Sequence, residues 1–95
     1  MLDHQTFEWD DAKALSNLAK HKVAFATAIA VFFDPDRLDI DTTRAEDRES
    51  RGKTVGALGG LLFTVVYTRR AEAIRIISAR RSNVREMKDY GSRHT

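Results

Sequence analysis

A chain of 95 residues has room for one domain, expected to span residues 1–95, and its 42% hydrophobic and 32% charged residues describe a globular protein with a small core rather than a disordered chain. The absence of cysteine excludes disulfide frameworks and thiolate metal sites, and the start MLDHQTFEWDDAK lacks the basic and apolar segments of a signal peptide. No run approaches the ~18 apolar residues of a membrane span, so a cytoplasmic protein with no membrane association is expected; the net charge of +2 is only mildly basic.

The charge is unevenly placed. Between Asp34 and Glu49 seven acids outnumber three arginines, whereas between Arg69 and Arg93 eight bases, seven of them arginine, outnumber three acids. The guanidinium fork matches phosphate geometry bidentately, so a polyanion-binding surface is expected at the C-terminal end.

Along the chain, Phe7 and Trp9 flank Glu8 in strand-like alternation, and Asp10 stands at an N-cap position, its carboxylate placed to accept from the next backbone N–H groups. A first helix is predicted over 11–20. Its apolar residues Ala14, Leu15, Leu18 and Ala19 form the packed face, with Trp9 and Ala14 as a hydrophobic staple. VAFATAIAVFF, apolar nearly all round, predicts a deeply buried second helix that ends at Asp34, before Pro35. The period then changes to two: Leu38 and Ile40 alternate with Asp39 and Asp41, and a polar loop follows over 42–50. Further strands are predicted over 53–58, over LLFTVVYT as the central strand, and over AIRIISA, with Gly59-Gly60 and Arg69–Glu72 as turns. Strict alternation along the last strand puts Arg75, Ile77 and Ala79 on one face and Ile74, Ile76, Ser78 and Arg80 on the other. Ser82 or Asn83 caps a final helix that runs through Tyr90 and stops at Gly91. The expected fold is α+β: an antiparallel sheet of about four strands with two N-terminal helices and one C-terminal helix.

Several chemistries drop out at this level. His4, His21 and His94 share no metal-ligand spacing, and the acids from Asp34 to Asp41 lack the glycine pivot of a calcium loop, so no metal is expected. GALGG is followed by a strand rather than a helix, so it reads as a turn and not as a phosphate cradle. No cofactor is expected. His21, flanked by Lys20 and Lys22, either satisfies the end of the first helix or contacts phosphate. In the final helix Arg85 and Asp89 are i, i+4, a solvated pair; Glu86 and Tyr90 share the next row, close to the strand end that carries Arg80. Ordinary packing and a functional cluster stand side by side as readings of Arg80, Glu86 and Tyr90.

FEWDDAKALSNLAKHKVAF, ESRGKTVGALGG, VVYT and RIISARRSNVREMKDY together, in this order and spacing, resemble the BrnT family of toxins from bacterial type II toxin–antitoxin pairs, from Phe7 to Tyr90. The resemblance implies a RelE-like fold and a metal-independent ribonuclease that arrests translation. It also implies neutralisation by a BrnA-like ribbon-helix-helix antitoxin, with operator DNA bound only through the antitoxin complex. Lys22 stands where the family usually has glycine, and Gly52 where a large apolar residue is common. Cleavage without a metal needs the 2′-oxygen to attack its own phosphate, cations for the developing charge and a proton for the 5′-oxygen. Carried over, the catalytic set is Arg51, Arg75, Arg80, Glu86 and Tyr90, with arginines on the charge and Tyr90 or Glu86 on a proton; Lys20, His21, Arg81 and Arg85 are the expected RNA contacts. A non-catalytic module binding nucleic acid or antitoxin through the same surface is the alternative.

Overall fold

The computed structural model describes residues 5–92; His4, Arg93 and His94 lie outside the described residues. The elements are β1 (Thr6–Glu8), α1 (Asp11–His21), α2 (Phe25–Val31), β2 (Leu38–Asp41), β3 (Arg51–Leu58), β4 (Leu61–Arg70), β5 (Ala73–Arg81) and α3 (Val84–Ser92). The α+β expectation holds, with two helices before the sheet and one after it. The sheet has five strands rather than four, in the order β1-β5-β4-β3-β2. The added strand is Thr6–Glu8, which pairs parallel with β5, while the other pairings are antiparallel. No helix among the described residues is long and apolar enough to cross a membrane.

Local chemistry explains the framework. Gly59 and Gly60, at φ +60° and +81°, close the β3–β4 hairpin with a geometry that side chains resist. The apolar, β-branched run of β4 occupies the middle of the sheet, with Thr64 and Val65 fully buried. On one face α2 covers the sheet. There Phe7, Phe32 and Tyr67 form an aromatic row with ring centroids 5.2 and 5.4 Å apart, and Trp9 meets Phe25 edge-on at 5.9 Å. Gly52 belongs to that face: a Cβ there would lie 2.7 Å from the Tyr67 hydroxyl, so the glycine lets the ring cross its strand.

The register overturns the expected alternation of β5. Val66 pairs with Ser78 but Tyr67 pairs with Ile76, which leaves Ile77 as an extra residue, a β-bulge. Ile74, Ile76 and Ala79 therefore share the α2 face with Tyr67 and Val65. Arg75, Ser78 and Arg80 share the opposite face with Thr68, Val66 and Thr64. A single inserted residue thus brings together two arginines that strict alternation separates.

Three helix readings also change. Leu15 and Leu18 are 70% and 45% exposed, and α1 instead turns Ala14 and Asn17 inward. Asn17 Nδ2 donates to the carbonyls of Ala79 (2.8 Å) and Val23 (2.9 Å), and Ala79 N–H donates to Asn17 Oδ1 at 3.1 Å. Its amide imitates a strand residue along the part of β5 that β1 does not reach, satisfying backbone groups that an edge would leave bare. Asp10 holds the extended N-cap conformation, but its side chain makes no capping hydrogen bond. Asn83 caps α3, which continues past Gly91 to Ser92. Lys22 takes the left-handed conformation, φ 62°, and its N–H donates to Leu18 O at 2.9 Å. The usual glycine of that position would adopt this backbone without steric cost.

Two stability changes are expected in chemical denaturation. Asn17→Ala strands three backbone groups, the carbonyls of Val23 and Ala79 and the Ala79 N–H, and lowers stability by about 2–4 kcal/mol. Lys22→Gly relieves the left-handed side-chain clash, offset by a more flexible unfolded chain, and raises stability by up to about 1 kcal/mol.

Candidate functional site

The face opposite α2 carries the cations. Cross-strand pairing sets them in rows: Val55, Thr64 and Arg80; then Lys53, Val66 and Ser78; then Arg51, Thr68 and Arg75, continued by Glu8 of β1. Thr64 and Thr68 are four residues apart on β4, so the first and third rows are separated by about 13 Å, and Arg51 and Arg75 within the third row by about 10 Å. The face thus presents two cationic stations, Lys53 with Arg80 and Arg51 with Arg75, and Arg70 follows Thr68 on the same side of β4.

Glu86 organises the first station. Its carboxylate, on a residue only 1% exposed, accepts from both terminal nitrogens of Arg80 (2.8 and 2.9 Å), from Lys53 Nζ (3.0 Å), from the Thr64 hydroxyl (2.9 Å) and from Asn83 N–H (2.9 Å). Glu86 N–H in return donates to Asn83 Oδ1 at 2.8 Å, which completes a reciprocal capping box at the start of α3. Ser82 and Thr64 hydroxyls meet at 2.8 Å beside it. The Arg80 fork, above all, holds the Glu86 carboxyl far below the usual carboxylate range against the opposing effect of burial, and the Asn83, Lys53 and Thr64 donors add to it. Arg80 is raised in turn by that pairing. A carboxylate with so many donors is a poor proton acceptor, so its chemical contribution is to fix Arg80 and Lys53 in place.

The second station is looser. Arg75 Nη1 lies 3.1 Å from Glu8, both partly exposed. Arg51 stands between two clefts of about 330 Å³ each, one containing Asp39, Asp41, Tyr67 and Arg69, the other Asp47, Glu49, Thr68 and Arg70. Glu49 is tied to Arg70 at 2.9 Å, a pairing that lowers its carboxyl.

The remaining expected residues are distributed elsewhere. Tyr90 is not in the Arg80 cluster: its hydroxyl donates to Asp34 Oδ2 at 2.7 Å, and the same oxygen accepts from Ala57 N–H at 2.7 Å, so the contact joins α3 to the end of α2 and to β3. Arg81 lies on the α2 face over the Phe63 ring, 5.8 Å from its centroid. Arg85 is at the surface, 3.4 Å from Asp89, as the helical spacing indicated. Lys20 and His21 line a shallow groove between α1 and the β5 bulge. Lys53 was not singled out in the sequence. Its period-2 relation to Arg51 was available, but its meeting with Glu86, 33 residues away, was not. Among the described residues no group of three or more His, Asp and Glu side chains is placed to hold a metal ion.

The Glu86 network has a pH signature. A carboxyl depressed in the folded state contributes stability that is present above its unfolded value, 4.5, and is lost as pH falls towards the folded one. Glu86→Gln is expected to cost about 2–3 kcal/mol at pH 7. In urea titrations the gap from the unsubstituted protein is full above about pH 5 and narrows progressively below it.

The family model of the ribonuclease toxin BrnT of type II toxin–antitoxin systems matches residues 9–86, so Glu86 closes the matched span and Tyr90 lies beyond it. A comparison with curated proteins returns no match. The matched span contains Arg51, Lys53, Arg75, Arg80 and Glu86, the residues that build the two cationic stations. The chain belongs to the BrnT ribonuclease toxins of type II toxin–antitoxin systems, which makes RNA its substrate class and an antitoxin its partner.

Proposed function

We propose that the protein cleaves RNA on the α2-free sheet face without a metal ion, through the Lys53 and Arg80 station held by Glu86. The observation that carries this reading is the two-cation, one-carboxylate network: it fixes positive charge before any substrate arrives, so little reorganisation is needed as charge grows on the phosphate. Of the carboxylates at that face, Glu8, Glu49 and Glu86 are each engaged by an arginine.

In this reading the 2′-oxygen attacks phosphorus while its proton passes to water, and the bond from phosphorus to the 5′-oxygen breaks. Arg80 stabilises the charge on the equatorial oxygens. Lys53 gives its proton to the leaving oxygen, yielding a 2′,3′-cyclic phosphate and a 5′-hydroxyl. Arg51 and Arg75, about 13 Å from Arg80 and about 7 Å from Lys53 along the strands, hold a phosphate further along the RNA. Glu86 acts as a positioning residue. Tyr90, bound to Asp34, clamps α3 so that Glu86 stays over the sheet. Cleavage of cellular RNA arrests translation, and a BrnA-like ribbon-helix-helix antitoxin neutralises the toxin by covering this face; the complex reaches operator DNA through the antitoxin.

Purified, antitoxin-free protein is expected to cleave protein-free RNA in EDTA. Arg80→Ala and Lys53→Met each reduce the rate about 100-fold or more with the fold retained by circular dichroism. RNA left intact at enzyme excess, with salt-sensitive retention on a filter, identifies a binding module instead.

A further inference from the structure

We infer that the groove between α1 and the bulge of β5 is a subsite for the phosphate of a nucleotide flanking the cleaved one, so that the toxin engages a single-stranded RNA segment rather than a dinucleotide. This rests on the cleavage face proposed above and extends it.

The groove, about 180 Å³, is lined by Lys13, Ser16, Lys20 and His21 of α1 and by Ser78 of β5. Both clefts beside Arg51 include acids; the lining of this groove includes none, and its polar groups are ammoniums, hydroxyls, an imidazole and an amide. That chemistry selects an anion. Lys13 and Lys20 form no ion pair among the described residues. Ser78 lies in the same row as Lys53 and Val66, so the groove opens onto the edge of the cationic face, and a strand of RNA leaving Lys53 across β5 passes over Ser78 into it. The walls are fixed, because Asn17 ties α1 to Ala79 through two hydrogen bonds. The C-terminal end of a helix ordinarily disfavours an anion. Here Lys22 offsets that end, its N–H donating to Leu18 O and its Nζ to Ala19 O, at 2.9 and 3.1 Å.

The test uses the full chain and RNA oligonucleotides with 2′-O-methyl groups, which bind without being cleaved, in lengths from two to eight nucleotides. The double substitution K13A/K20A is expected to weaken binding only once the oligonucleotide is long enough to cross β5. The salt dependence of log K against log salt should then flatten by about 0.7, one single-strand phosphate contact. Ser78→Ala and His21→Gln should weaken the same lengths to a smaller degree. Equal affinity of K13A/K20A and unsubstituted protein for every length overturns the subsite, as does an equal loss at all lengths, which would be general attraction. A loss confined to antitoxin affinity also overturns it and makes the groove an antitoxin contact. Length-dependent loss in a protein that leaves unmodified RNA uncut retains the subsite and refutes the cleavage reading.

Discussion

A buried carboxylate is costly unless its lone pairs are filled, and Glu86 meets that condition with donors from β3, β4, β5 and the cap of α3 at once. The same contacts that make burial tolerable define the face. Lys53 and Arg80 converge because both neutralise one anion, and α3 starts where it does because its first turn shares the carboxylate with Asn83. Removing the anion would leave two cations in mutual repulsion and the Asn83 N–H without its acceptor, so folding and site geometry depend on the same atoms. The second anchor of α3, Tyr90 on Asp34, acts at the far end of the helix and keeps Glu86 from swinging away from β3.

Much of this was legible in the sequence, and the missing parts have identifiable causes. The helix around VAFATAIAVFF, the Gly59-Gly60 hairpin and the central strand LLFTVVYT follow from apolar periodicity and glycine conformation, and all three are present. Neighbours on α3, such as Arg85 with Asp89, follow from helical spacing. The bulge at Ile77 does not, because a period-2 pattern gives no sign of an inserted residue when Ile76 and Ile77 are both apolar; the parity of Arg75 against Arg80 was inverted as a result. The exposure of Leu15 and Leu18 has a related cause. Hydrophobic spacing favoured the leucine stripe, yet an uncovered strand edge needs donors and acceptors, and Asn17 supplied both. Polar satisfaction outranked apolar area at that contact.

The two departures from the family pattern that the sequence raised are absorbed locally. Lys22 adopts the backbone that glycine would take, and its side chain turns back onto the helix end it terminates. Gly52 removes a side chain where the Tyr67 ring approaches, so the aromatic row continues under β3 without displacing the strand. Neither lies on the cationic face: Gly52 pairs with Tyr67 on the α2 side, and Lys22 is beyond the end of α1. The departures therefore alter packing while the rows of Arg51, Lys53, Arg75 and Arg80 keep their register.

That register sets what the face can hold. Arg80 engages Glu86 through both terminal nitrogens, so its remaining edge is presented in one orientation, with its rotamer freedom already spent in the folded state. A lysine there could neither fill both carboxylate oxygens nor keep a planar edge towards a phosphate. Arg75 and Arg51 lack such a shared anchor; Arg75 has only the partly exposed Glu8, and Arg51 borders open clefts on either side. A preorganised station thus adjoins an adaptable one along the same strands, with Arg80 about 13 Å and Lys53 about 7 Å from the row of Arg51 and Arg75. In the cleavage proposed above, charge that must not reorganise during the reaction belongs at the first, and charge that follows a flexible strand belongs at the second.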